Sequence, residues 1–108
     1  MVKREIETII KNYLSLLKES GINVEHAYLY GSCARGEETE ESDIDIMLVS
    51  RIFDTDDDRI LSRPWIYTVK ASPRIEPIAV GAKRFFEDSG SPLIELVKSE
   101  GVEITLND

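Results

Sequence analysis

Apolar residues early in the chain recur three and four positions apart: Ile6, Ile9, Ile10, Tyr13, Leu14 and Leu17. That spacing lines one face of a helix, with Lys18 in its last turn and Gly21 placed to end it. The period then shortens. Residues 24–30 form a short apolar and aromatic run closed by Gly31, which predicts a strand. Residues 44–49 are almost continuously apolar at strand length, the pattern of a strand buried on both faces. The acidic stretch between the two, residues 36–42, reads as a solvated loop.

Beyond this point the pattern is less regular. Residues 54–70 predict an interrupted helix, with Asp54, Thr55 and Asp56 as candidate caps and Pro64 either breaking the helix or starting a second one. Residues 74–80 ("RIEPIAV") return to strand character. Pro77 has no N–H, so this strand is expected at an edge or with irregular pairing, and Glu76, held extended by the proline after it, should lie on it. "AKRFFEDSG" and "SPLIELVKSEG" read as two short helices, the second capped by Ser91 with Pro92 at its first position. "VEITL" is a candidate last strand. The order predicts an α+β fold in which helices cover a small mixed sheet.

Composition narrows what such a domain can do. The chain has 108 residues, 42% of them hydrophobic, which suits a single core across residues 1–108. Its 21 acidic and 13 basic residues give a net charge of -8, which argues against bulk nucleic-acid binding. A protein this acidic would need divalent metal to handle phosphates. Cys33 is the one cysteine, so no internal disulfide forms, and a reducing cytoplasm is expected. The charged, amphipathic start does not resemble a signal peptide, and no apolar run is long enough to span a bilayer.

The chemistry gathers in "YGSCARGEETEESDIDIMLVS", residues 30–50. Residues two apart on a strand point the same way, which places Asp43 and Asp45 on one face with Cα atoms roughly 6.6 Å apart. Ile44, Ile46 and Leu48 then point into the core. Two carboxylates about 4 Å apart repel by about 4 kcal/mol at an effective dielectric near 20, a cost that a cation between them removes. Hard oxygen donors suit Mg²⁺, which completes its shell with water and substrate phosphates. Gly31 permits a tight turn where backbone N–H groups and the Ser32 hydroxyl can approach a phosphate closely. Arg35 can serve either a phosphate or the neighbouring glutamates.

This run, a Gly-Ser turn followed by Asp-x-Asp, resembles the signature of the nucleotidyltransferase superfamily that includes DNA polymerase beta and kanamycin nucleotidyltransferase. The length is similar to that of its minimal members, which are found beside small helical partner proteins. The resemblance implies a nucleotidyltransferase fold and a third carboxylate on a later strand. Glu76 is the candidate, with Asp54, Asp56, Asp57 and Asp58 as rivals better explained as helix caps. It further implies two Mg²⁺ ions held by Asp43, Asp45 and Glu76, and phosphates of ATP or another nucleoside triphosphate held at Gly31 and Ser32. The nucleoside monophosphate would pass to a hydroxyl acceptor. A HEPN-type helical protein in a toxin–antitoxin pair, or a homo-oligomer, is the implied partner.

Two other readings compete. An antitoxin-like binding module would neutralise such a partner by contact alone, and an antibiotic-modifying enzyme would need an acceptor pocket supplied by another chain. His26 reads as a packed or surface histidine rather than a general base. Trp65, Tyr67, Phe85 and Phe86 read as core residues rather than stacking platforms.

Overall fold

The computed structural model describes residues 1–87 and 90–105. Helix α1 (Arg4–Glu19) buries Ile6, Ile10, Tyr13, Leu14 and Leu17, and its acidic first turn and Lys18 in the last turn complement the helix dipole. Gly21 takes a positive φ of 86°, letting the Ile22 N–H return to the Leu17 carbonyl at 2.9 Å and close the helix end. Strand β1 (His26–Tyr30) follows, then the single-turn helix α2 (Ser32–Arg35), the acidic loop and strand β2 (Ile44–Ser50). A short 3-10 turn (Arg51–Phe53) leads to helices α3 (Asp58–Ile66) and α4 (Thr68–Ala71). Strand β3 (Ile75–Gly81), helices α5 (Ala82–Glu87) and α6 (Pro92–Glu100) and the two-residue strand β4 (Val102–Glu103) complete the order.

The sheet order is β3-β2-β1-β4. β1 pairs antiparallel with β2 and β4, whereas β2 and β3 run parallel, joined by the α3–α4 crossover that a parallel pair requires. The sheet is therefore mixed, as the sequence predicts. Each face has its own cluster. Leu29, Ile44, Ile46, Leu48 and Ile75 pack with α1 and Phe53 on one side. Tyr30, Met47, Val49 and Val80 pack with Phe85 of α5 and Ile94 and Val97 of α6 on the other.

β3 is an edge strand, which accommodates Pro77. The parallel ladder opens with the Ile44 N–H on the Arg74 carbonyl at 2.8 Å and uses alternate residues of β3, so the N–H that Pro77 lacks falls on the free edge. Ser91 caps α6 as expected, accepting from the Ile94 N–H.

Several expectations are corrected. Of the residues read as helix caps, Asp57 is the cap of α3, its carboxylate accepting from the Arg59 N–H at 2.9 Å, while Asp54, Thr55 and Asp56 are not. Pro64 lies inside α3, and the interruption comes three residues later at Tyr67. There the Pro64 carbonyl accepts from the buried Tyr13 hydroxyl at 2.6 Å, a partner from another helix that no local pattern reveals. Glu38, in the loop read as solvated, is buried and pairs with Lys3 at 3.2 Å. Trp65 and Phe86 are half exposed, whereas Phe85 is core. Asp88, Ser89 and Leu106, parts of the predicted helix end and last strand, lie outside the described residues.

Candidate active site

The end of β1 and the starts of β2 and β3 meet at one edge of the sheet. The register pairs Tyr30 with Asp45 and Asp45 with Glu76, so these three residues form a row across three strands. They belong to the face that carries Met47, Val49 and Val80. Asp43 stands one residue before β2. A helix cannot produce this row, because only the two-residue period of adjacent strands brings side chains from distant segments into line.

Charge at the site is concentrated and costly. Burial, then the charge of Asp43, pushes the Asp45 carboxyl above the usual carboxylate range. Glu76 is also pushed up, first by its hydrogen bond with the Asp43 carboxyl, then by desolvation and by the charges of Asp43 and Asp45. Tyr30 is raised to about 12 by burial and by the charges of Asp45 and Glu76, so its phenol stays protonated beside them. Apart from burial and the Glu76–Asp43 hydrogen bond, these shifts come from neighbouring negative charge.

Gly31 makes the gathering possible. It has φ 76° and ψ -153°, a region essentially reserved for glycine, and a Cβ built there would lie 2.7 Å from Asp45 Oδ2. The glycine of the turn is thus set by contact with the carboxylate fourteen residues later as much as by the turn itself. Ser32 begins α2 directly after it.

Among the described residues no three acidic, histidine or cysteine groups stand in a ready-made metal cluster. Mg²⁺ does not need one, since it takes one or two protein carboxylates and fills its shell with water and phosphate oxygens. All-oxygen donors gathered in one place fit such a cation, and Asp43, Asp45 and Glu76 are the residues that could hold it.

The structure separates the other candidates from this place. Arg35 donates from Nε to Glu37 Oε1 at 2.9 Å and pairs with Glu100 at 3.5 Å, so its partners are glutamates. Asp54 accepts from the Lys83 N–H beyond the far end of β3, away from Asp45 and Glu76. His26 lies at the other end of β1, opposite Val49, with Nδ1 2.8 Å from Glu103. Sequence reasoning missed Tyr30 and Arg74. Tyr30 had a readable signal, since it precedes Gly31 on a strand; Arg74 had none, because it acts on backbone carbonyls of a distant loop.

Comparison with known proteins identifies the family. The family described as polymerase beta nucleotidyltransferase matches residues 5–68, more than half the chain, including Gly31, Ser32, Asp43 and Asp45. This chain belongs to that nucleotidyltransferase family. A "putative protein adenylyltransferase" of Methanocaldococcus jannaschii is 50% identical over 44 residues, which are 41% of this chain and 43% of the relative. The match therefore spans less than half of that curated protein. Among solved structures, a "putative nucleotidyltransferase" from Sulfolobus solfataricus superposes with a TM-score of 0.62 at 19% identity, covering 92% of this chain and 78% of the other. A toxin–antitoxin structure with AMP-PNP superposes with a TM-score of 0.61 at 20% identity, covering 91% and 74%. At these identities the two structures show a shared fold.

Proposed function

We propose that this protein transfers AMP from ATP to a hydroxyl on a partner protein, with Asp43, Asp45 and Glu76 as its catalytic carboxylates and metal ligands. The observation that carries this reading is the row Tyr30–Asp45–Glu76 beside Asp43, closed against the Gly31 turn. Carboxylates that raise one another's proton affinity destabilise a site that has no use for a cation.

Two Mg²⁺ ions, when bound, would neutralise the triphosphate and lower the pKa of the acceptor hydroxyl. The chain's own residues then orient the reactants. Gly31 and Ser32 hold the β- and γ-phosphates, Asp43 and Asp45 face the α-phosphate, and Glu76 faces the acceptor. The acceptor oxygen bonds to the α-phosphorus as the bond to the pyrophosphate oxygen breaks. The hydroxyl proton passes to water and pyrophosphate leaves. An acidic surface suits a reaction in which metal accompanies the nucleotide.

AMP and a protein acceptor are supported by the relative named as a protein adenylyltransferase. A helical partner of the HEPN type in a toxin–antitoxin pair is supported by the fold shared with a toxin–antitoxin structure. Residues 1–108 then act as one minimal catalytic domain in the cytoplasm.

The test is to label a lysate of the source cell with Mg²⁺ and ATP carrying label at the α- or the γ-phosphate, with wild type and Asp45→Asn. A protein labelled from the α position alone, with the signal reduced about 100- to 1,000-fold in the variant, is the expected result. Label from the γ position means phosphoryl transfer and overturns the reading. Absence of label from both positions would favour a binding module that acts by contact.

A further inference from the structure

Arg74, the residue just before β3, makes contacts on both sides of a candidate catalytic carboxylate. Its Nε donates to the Ser42 carbonyl and its Nη2 to the Thr39 carbonyl, both at 2.9 Å. Its own carbonyl accepts from the Ile44 N–H at 2.8 Å. Ser42 and Ile44 flank Asp43, so one residue holds the chain on both sides of that carboxylate. The Asp43 carbonyl between them accepts from Cys33 Sγ at 3.6 Å. The backbone around Asp43 is thereby fixed at three consecutive positions, Ser42, Asp43 and Ile44.

The same residue ties Asp43 to Glu76. Arg74 precedes Glu76 by two positions, and its carbonyl opens the β2–β3 ladder that sets Asp45 opposite Glu76. Its two side-chain bonds come from a planar fork directed at two carbonyls of a single turn. That turn is closed by Thr39 and Ser42: the Thr39 N–H donates to Ser42 Oγ at 2.9 Å and the Ser42 N–H to the Thr39 carbonyl at 3.2 Å. A lysine has a single ammonium on a flexible stem and cannot reproduce the fork. An arginine that only clipped a surface loop would have no reason to bracket Asp43.

We propose that Arg74 is a positioning residue that fixes Asp43 beside Glu76 and so sets the affinity of the acidic cluster for a divalent cation. The metal half of this statement rests on the function proposed above; the positioning half does not.

The experiment compares wild type, Arg74→Met, Arg74→Lys and Asp45→Asn in three measurements: thermal unfolding, amide hydrogen exchange, and Mn²⁺ binding to the nucleotide-free protein by electron paramagnetic resonance. Arg74→Met should speed exchange at Ser42 and Ile44 while α1 stays protected, and should weaken Mn²⁺ binding by about tenfold to a hundredfold, the range for lost outer-shell support. Arg74→Lys should recover part of both. Unchanged exchange at Ser42 and Ile44 in Arg74→Met overturns the positioning role. Loss of protection spread evenly into α1 also overturns it, because Arg74 would then be a general fold contact. If wild type binds no Mn²⁺, or Asp45→Asn binds it equally well, the metal reading fails. Exchange at Ser42 and Ile44 still decides whether Arg74 holds Asp43.

Discussion

The two faces of β2 are built from the same strand to opposite ends. On the face toward α1, Ile44, Ile46 and Leu48 are fully buried, and each contributes on the order of 1.5–3 kcal/mol by leaving water. On the other face Met47 and Val49 are equally buried, but the row begins with Asp45, whose charge is opposed by burial and by Asp43. One face stabilises the fold along its whole length. The other gives up that stabilisation where Asp45 holds its charge, and the apolar face is what makes this sustainable.

The widest separation between the faces should come from Ile46→Ala. It removes a side chain that is fully buried in the α1 cluster, so chemical denaturation should show a loss of about 2–5 kcal/mol. Activity per folded molecule should stay near wild type. A large fall in specific activity with little loss of stability would mean that the faces are not independent, and the division drawn here would fail.

Gly31→Ala probes the boundary between them. The backbone at φ 76° and ψ -153° resists any side chain, which costs about 1–3 kcal/mol. The added methyl must also displace Asp45 Oδ2, 2.7 Å away. A shift of about 1 Å in a reacting group can cost on the order of 100-fold in rate. Nucleotidyl transfer should therefore fall by roughly that factor while the folded fraction, read by circular dichroism, stays high. Equal losses in both would show that the glycine serves the turn alone.

Much of this division is legible in sequence, and the limit has a physical cause. The alternation of Asp43, Asp45 against Ile44, Ile46 is local, so a two-residue period suffices to assign their faces. The same reasoning places Glu76 on a strand before Pro77. Its pairing with Asp45 depends on a register set across the α3–α4 crossover, and no short-range pattern encodes that. Burial of Glu38 was hidden for a related reason, since its partner Lys3 lies 35 residues away and charge alone reads as solvated. Trp65 and Phe86 mislead in the other direction, because hydrophobicity marks what can be buried and not what is. The family signature covers the turn and the Asp pair, which is why the site was readable before the sheet order was.

The smallest expected effect carries the sharpest sign. Asp45→Asn removes the charge that burial and Asp43 oppose, so the metal-free protein should gain stability, by less than about 1 kcal/mol, while losing transfer activity. The pH dependence fixes the cause. A carboxyl whose folded pKa is raised binds its proton more tightly in the folded state, so its contribution is fully present below the unfolded value, near 4, and is lost as pH rises through the folded one. Unfolding of wild type and Asp45→Asn should nearly coincide at the acid end of this range. The variant's advantage should open between the unfolded value and the folded value of Asp45 and hold level above it. Glu25 and Asp57 shift the opposite way, through bonds to Arg51 and Arg59, but they are common to both proteins and cancel in the difference, whereas Glu76, which the Asp45 charge also raises, adds to the advantage in the same direction. An advantage that was constant with pH would assign it to packing rather than to charge. Saturating Mg²⁺ should then reverse the order, because only the wild-type cluster gains from neutralisation. The same carboxylate would be a defect of the empty fold and a support of the loaded one.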